Sequence, residues 1–419
     1  MSIKKLYSVD EANKLSIEEV QRLYNKFINP NQTKIFSSLP FGKEIFNKAE
    51  GIFLYTRDGK KILDFRGVVG VLGLGHNHKR IIEARSKFQK ENSVEVHKII
   101  FSRYMAALSS SIASLLPKNL NKSFFLNSGA EAVEAAIKIS FKSFKGKKKY
   151  ILYSNKSYHG KLIGSGSISG SYRVNSQFPV MENCENFKFN DVKDLGEKVN
   201  EFQKKGGVYA VIIEPFSASL LETCSNEFVE KLFTLKKRFG FKIIFDEVFT
   251  GFFKSKKMFY FQNFDGYEPD IICLSKTLGG GKSSISCLVV NDDLYDKAYG
   301  RLNDTFLHTT TYNAFGEESV TALEALNIVS DPNFKIKVEK LTSKEKSQLS
   351  KVYSGAITNQ AIAAREAASS AAQTLESASS IAATIEAKDL KTKEFVKQKA
   401  RSFRSRSYLL HLWMPKMDS

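Results

Sequence analysis

The chain has 419 residues, 42% of them hydrophobic, enough to bury a large core and to divide into two lobes. Its formal charge of +19 is spread along the sequence. Clusters such as Lys145 with Lys147 to Lys149, and Lys254 with Lys256 and Lys257, lack the interleaved aromatics of a nucleic-acid platform, so a solvated basic surface that draws anionic substrates is expected and no nucleic-acid partner. From the amino terminus, residues 1 to 50 read as an arm: Ser8-Val9-Asp10-Glu11 begins a helix, and Ser16 to Phe27 carries apolar residues at helical spacing. Ile52 to Tyr55 and Ile62 to Phe65 alternate like strands about an Asp58-Gly59 hairpin turn, and a glycine-rich run from Gly67 to Gly75 follows. His76 and His78 have no third partner at metal-ligand spacing and are expected to bond turns, so no metal is assigned.

Ser123 to Leu126 reads as a strand, and Asn127-Ser128-Gly129-Ala130-Glu131 then leads into a helix with Ala132, Val133, Ala136 and Ile137 on one face. The first amides of such a helix suit a phosphate, although an ordinary serine cap fits the same residues. Strand Tyr150 to Ser154 runs into Ser157-Tyr158-His159-Gly160, and the small residues from Gly164 to Gly170 read as a loop at the mouth of a crevice. A helix near Asp191 to Lys205, strand Val208 to Ile213 ending on Glu214-Pro215, and a helix from Glu227 to Arg238 closed by Gly240 complete an alternation that argues for a parallel, doubly wound sheet.

The most informative stretch follows. Phe241 to Phe245 is a buried strand that ends on Asp246 and Glu247, and after Pro269-Asp270 a second strand, Ile271 to Leu274, delivers Ser275 and Lys276 into Gly279-Gly280-Gly281. Open α/β sheets bind ligands at the carboxyl ends of their strands, which places an acid and an amine at one crevice. A desolvated lysine amine loses basicity and can condense with an aldehyde, while an aspartate can hold a pyridine nitrogen protonated. Taken singly, such a lysine is usually solvated and such an aspartate usually a cap or turn former. A phosphate-loop reading of the glycines with Lys282 and Ser283 fails, because it needs glycine at position 276.

The ordered set Asp246-Glu247-Val248, Thr250-Gly251, Pro269-Asp270, Ser275-Lys276 and Gly279 to Gly281 resembles the class III pyridoxal-phosphate aminotransferases, and other segments match that family in the same order over roughly Gly51 to Val329. The resemblance implies an α/β chain of fold type I, with a mostly parallel sheet flanked by helices, and pyridoxal 5'-phosphate as cofactor. It implies catalysis by Lys276 through a Schiff base and by Asp246 at the ring nitrogen. It also implies a glycine-rich turn beneath the substrate pocket over Gly67 to Gly75, a phosphate cup at Ser128, Gly129 and Ala130, Tyr158 on one face of the ring and Val248 on the other, His159 among the cofactor-binding residues, and Glu214 near the cofactor as a gate partner of an arginine. Thr311, or its neighbours Thr309 and Thr310, would reach a neighbouring subunit's phosphate, so a homodimer with shared sites is expected. Substrates would be a small amino donor and a carbonyl acceptor. Here the family commonly continues with glycines and Asn-Pro, whereas Asn313-Ala314-Phe315-Gly316 follows.

The expected division is an arm over 1–50, a large cofactor domain with part of the small lobe over 51–330, and an atypical end over 331–419. From about Leu341 the family's glycine-rich strand and substrate-side arginine are not recognisable, and Ala361 to Ala387 is dominated by alanine and serine. An aminomutase or lyase on the same scaffold, or a catalytically silent protein, therefore stands beside the aminotransferase reading. Four cysteines without paired metal spacing, together with the lack of a long apolar run or an apolar leader, lead to the expectation of a soluble cytoplasmic protein with no membrane partner.

Overall fold

The computed structural model describes residues 6–334, apart from 65–66, 97–98, 171–177, 255–256 and 314. The expected carboxyl-terminal segment therefore lies almost entirely outside the described residues. At the amino end Ser8 and Ser16 each close a capping box, with Glu11 and Glu19, over helices Val9–Lys14 and Ile17–Leu23. The Arg57 guanidinium donates to the carbonyls of Asn13 (2.9 Å) and Leu15 (3.0 Å) and so ties this arm to a three-stranded antiparallel sheet. Its strands are β1 (Phe46–Glu50), β2 (Phe53–Thr56) and β3 (Lys61–Leu63); the β2–β3 hairpin turns where Asp58-Gly59 predicts, whereas β1 was not read from the sequence.

The main sheet holds seven strands: β4 (Leu120–Leu126), β5 (Tyr150–Ser154), β6 (Cys184–Phe187), β7 (Val208–Ile213), β10 (Lys242–Asp246), β11 (Ile271–Leu274) and β12 (Ser286–Asn291), with a small pair β8 (Phe216–Ser217) and β9 (Glu222–Thr223) outside it. Their order is β4-β12-β11-β10-β7-β5-β6, and only β12 runs against the others. Successive strand residues face opposite sides. Ile243 and Phe245 pack with the helices Val192–Lys205 and Asn226–Phe239, whereas Ile244 packs with helix Gly129–Ser143. Both faces are covered, which is why the central strands β7, β10 and β11 carry continuous apolar runs rather than alternating ones. Ile243, Ile244 and Phe245 are fully buried, and each such side chain contributes about 1.5–3 kcal/mol of burial.

One sequence expectation is overturned here. The small residues after Gly160 do not form a loop at a crevice mouth: Ile163–Ser167 is a short helical turn, and Gly164, Ser165, Gly166, Ser167 and Ser169 are buried. The Ser165 amide donates to Glu134 Oε1 at 2.7 Å, and a side chain at Gly164 would collide with the same carboxylate. Small residues here serve close packing against helix Gly129–Ser143, a role that composition alone does not separate from loop flexibility.

Candidate active site

Because β12 alone is reversed, β4, β5, β7, β10 and β11 all present their carboxyl ends along one edge of the sheet. Each delivers one part of the sequence-predicted set. β10 ends on Asp246, which is 4% exposed. Asp246 Oδ2 lies 2.7 Å from His159 Nδ1, and its Oδ1 accepts the Val248 amide at 3.0 Å. The buried His159 Nε2 has no hydrogen-bond partner among the described residues.

β11 passes Ser275 and delivers Lys276, whose backbone is left-handed, with φ of 50°. Gly280 and Gly281 also have positive φ, and a side chain at Gly280 would stand 3.0 Å from Ile81 Cδ1. The glycine run thus lets this turn close down onto helix Lys79–Lys90. Burial lowers the basicity of the Lys276 amine, against the opposing pull of the Asp246 and Glu214 carboxylates. Its Nζ stands 5.1 Å from the centre of the Phe249 ring.

At the end of β4, Ser128 caps helix Gly129–Ser143, and Glu131 Oε2 accepts the amides of Asn127 (2.7 Å) and Ser128 (3.1 Å). The next two amides, of Gly129 and Ala130, have no acceptor among the described residues and stand at the positive end of a 15-residue helix. A side chain at Gly129 would meet Val248 Cγ1 at 2.9 Å, so the cup and the end of β10 touch. After β5, the Tyr158 side chain is exposed, and its amide donates to Glu214 Oε1 at 3.0 Å. Glu214, beyond β7, also accepts the Ala218 amide at 3.1 Å, and burial pushes its carboxyl up to about 7. No arginine contacts it among the described residues.

Thr311 is exposed and makes no hydrogen bond to this group among the described residues; instead Thr310 Oγ1 donates to Asn127 Oδ1 at 3.1 Å, and Asn127 Nδ2 to the Tyr312 carbonyl at 2.9 Å. His76 bonds as expected, its Nε2 2.8 Å from Asp64 Oδ2, whereas the buried His78 Nδ1 has no partner among the described residues, which corrects the turn-bonding expectation there. Among the described residues no group of three or more potential ligands could hold a metal ion, and no helix is long and apolar enough to cross a membrane.

Two contacts at the site go beyond what the sequence specifies, although Glu247 and the glycine-rich turn are themselves singled out by it. Glu247 is fully buried and accepts the Phe261 (2.8 Å) and Tyr260 (3.0 Å) amides and the Thr250 hydroxyl, holding the helix-poor β10–β11 connection in place. The glycine-rich turn approaches the Lys276 segment closely: side chains at Gly70 and Gly73 would strike Phe249 and Thr277. No residue pattern marks either contact, because each depends on loops brought together only by the fold.

A planar ring carrying a phosphate and an aldehyde fits these residues. The site offers two unbonded helix amides, a buried imidazole nitrogen without a partner, a buried carboxylate and an amine of lowered basicity. The sequence profile of the class III aminotransferases matches residues 41–365. The chain belongs to this family. The match runs past Leu341, beyond which sequence reading finds no family pattern.

Among family relatives, the chain is 30% identical over 314 residues to the aminotransferase PigE of Serratia sp. (strain ATCC 39006), covering 74% of this chain and 36% of that protein, so it spans about a third of that relative's length. The fold is that of solved aminotransferases. The ornithine aminotransferase from Toxoplasma gondii ME49 superposes with a TM-score of 0.69 at 21% identity, over 80% of this chain and 78% of the other. The taurine:2-oxoglutarate aminotransferase from Bifidobacterium kashiwanohense, solved with PLP and glutamate, gives 0.70 at 22% identity over 81% and 79%.

Proposed function

We propose that the protein is a pyridoxal-phosphate-dependent transaminase that moves an amino group between an amine or amino acid and a keto acid or aldehyde. The observation that carries this reading is the pairing, at the ends of the adjacent strands β10 and β11, of a buried carboxylate held by His159 with a lysine amine of lowered basicity. When bound, the cofactor supplies an aldehyde carbon for amine exchange and a protonated ring that accepts the electron pair left at the substrate carbon.

In this reading Lys276 would hold the cofactor through its amine, and its Nζ, when free, would take the proton from the substrate carbon and return it. Asp246 keeps the ring nitrogen protonated, and His159 and the Val248 amide fix the carboxylate in place. The amides of Gly129 and Ala130, after the Ser128 cap, receive the phosphate. Tyr158 and Val248 bound the ring, and Glu214 holds the Tyr158 backbone in place through its amide. Thr311 is assigned to the phosphate of a second copy in a homodimer. Exposed apolar side chains support that assembly, with Ile99 92%, Phe101 106% and Phe306 73% exposed. Four buried free cysteines support a reducing, cytoplasmic setting.

The test uses full-length protein saturated with pyridoxal phosphate. Borohydride reduction and peptide mapping should find the adduct on Lys276, and an amine donor should shift the visible spectrum with at most one equivalent of carbonyl product per bound cofactor, sustained turnover requiring a keto-acid acceptor. A protein that binds the cofactor without an adduct at Lys276 overturns the assignment, and product formed over many turnovers without acceptor makes it an aminomutase or lyase.

A further inference from the structure

Two amines approach the ring of Phe249. Lys276 Nζ stands 5.1 Å from its ring centre and Lys254 Nζ 5.6 Å from the same centre. Lys254 folds back so that its Nζ donates to the Phe249 carbonyl at 2.8 Å. A side chain at Gly70 would come within 3.1 Å of the Phe249 ring and 3.7 Å of Lys254 Nζ, so the glycine turn packs against the same spot. The two amines differ in one respect. Lys276 has the carboxylates of Asp246 and Glu214 acting on it, whereas Lys254 has only that of the buried Glu247 and makes no ion pair among the described residues.

We propose that Lys254 is the specificity-determining cation that receives the acid group of an amino substrate while its amino group is handled at Lys276. An ammonium uses one of its three hydrogens on the Phe249 carbonyl and keeps two for a carboxylate. The Phe249 ring, close to both amines, offers an apolar surface to the methylenes between the two ends of such a substrate. Lys254 is an exposed residue, yet the atoms crowding its amine and Lys276 beside it push it down to about 7 against the pull of Glu247, a displacement that a bound anion reverses. The inference rests on the transaminase reading and adds to it the acid group and the residue that recognises it.

The experiment compares wild type with Lys254→Met and Lys254→Arg in the cofactor-loaded full chain, using two probes that differ only in the acid group, 4-aminobutanoate and butylamine. The half-reaction is followed optically, and butanoate, which cannot react, is titrated by thermal shift. Lys254→Met should weaken the apparent affinity for 4-aminobutanoate and butanoate about tenfold and leave butylamine unchanged, and Lys254→Arg should restore most of the loss. Equal changes for 4-aminobutanoate and butylamine, or butanoate binding that is absent in wild type or identical in Lys254→Met, overturns the proposal. Loss of the Lys276 adduct itself defeats the transaminase reading instead, so the two failures are distinct.

Discussion

His159 Nδ1 and Asp246 Oδ2 lie 2.7 Å apart with both side chains almost wholly removed from solvent, and the second Asp246 oxygen is held by the Val248 amide. The carboxylate thus has a fixed position and a polar partner that offsets part of its burial. In Asp246→Asn the charge that would keep a pyridine nitrogen protonated is gone while the shape is retained. Turnover should fall by roughly two orders of magnitude or more with the Lys276 adduct still detectable. His159→Gln should cost less, about 10- to 100-fold, because it loosens the carboxylate without removing it. Steady-state kinetics beside borohydride mapping check both, and full activity in Asp246→Asn would remove the aspartate from the mechanism.

Gly129 is needed for a contact as well as for a cup. Its missing side chain leaves room for Val248, whose Cγ1 would stand 2.9 Å from an added Cβ. Gly129→Ala should destabilise the fold by about 1–3 kcal/mol and weaken cofactor binding, since the helix start and the end of β10 are forced apart. Adding Val248→Ala should recover most of the stability. Denaturant titration of the single and double variants decides it, with additive losses counting against the contact.

Glu247 sets a pH dependence whose sign is unusual for a carboxylate. Burial raises its pKa from 4.5 to about 7, in spite of the Thr250, Tyr260 and Phe261 donors. A folded-state pKa above the unfolded one means that its contribution is fully present below pH 4.5 and is lost as pH rises towards 7. The stability of wild type relative to Glu247→Gln should therefore decline by roughly 3 kcal/mol across that window and stay level above it. Thermal unfolding of both proteins at matched pH values measures the difference, and a constant gap from pH 4.5 to 7 would rule out the shift.

Much of this arrangement was readable beforehand for a physical reason. Strands Val208–Ile213 and Lys242–Asp246 are covered on both faces and so appear as unbroken apolar runs, and their carboxyl ends are where the polar residues resume. Reading Glu214, Asp246 and Lys276 at one edge required only that alternation of strands and helices. What escaped is long-range and carries no local pattern: the reversal of β12, the pairing of β1 with β2, the approach of Gly70 to Phe249, and the hydrogen bond from Thr310 to Asn127. The Gly164 to Ser169 segment was misread because small residues suit both a flexible loop and a tight interior turn, and only Glu134 beneath it separates the two.

The positive φ of Lys276 has its own implication. A side chain in that conformation carries on the order of 1 kcal/mol of steric penalty that glycine would avoid. Lys276→Gly should therefore yield an apoprotein that is inert yet melts no lower than the original, checked by calorimetry. Natural selection would then have tolerated a weaker scaffold at this position for the sake of reactivity, and thermostability screens run without an activity filter would drift towards dead variants.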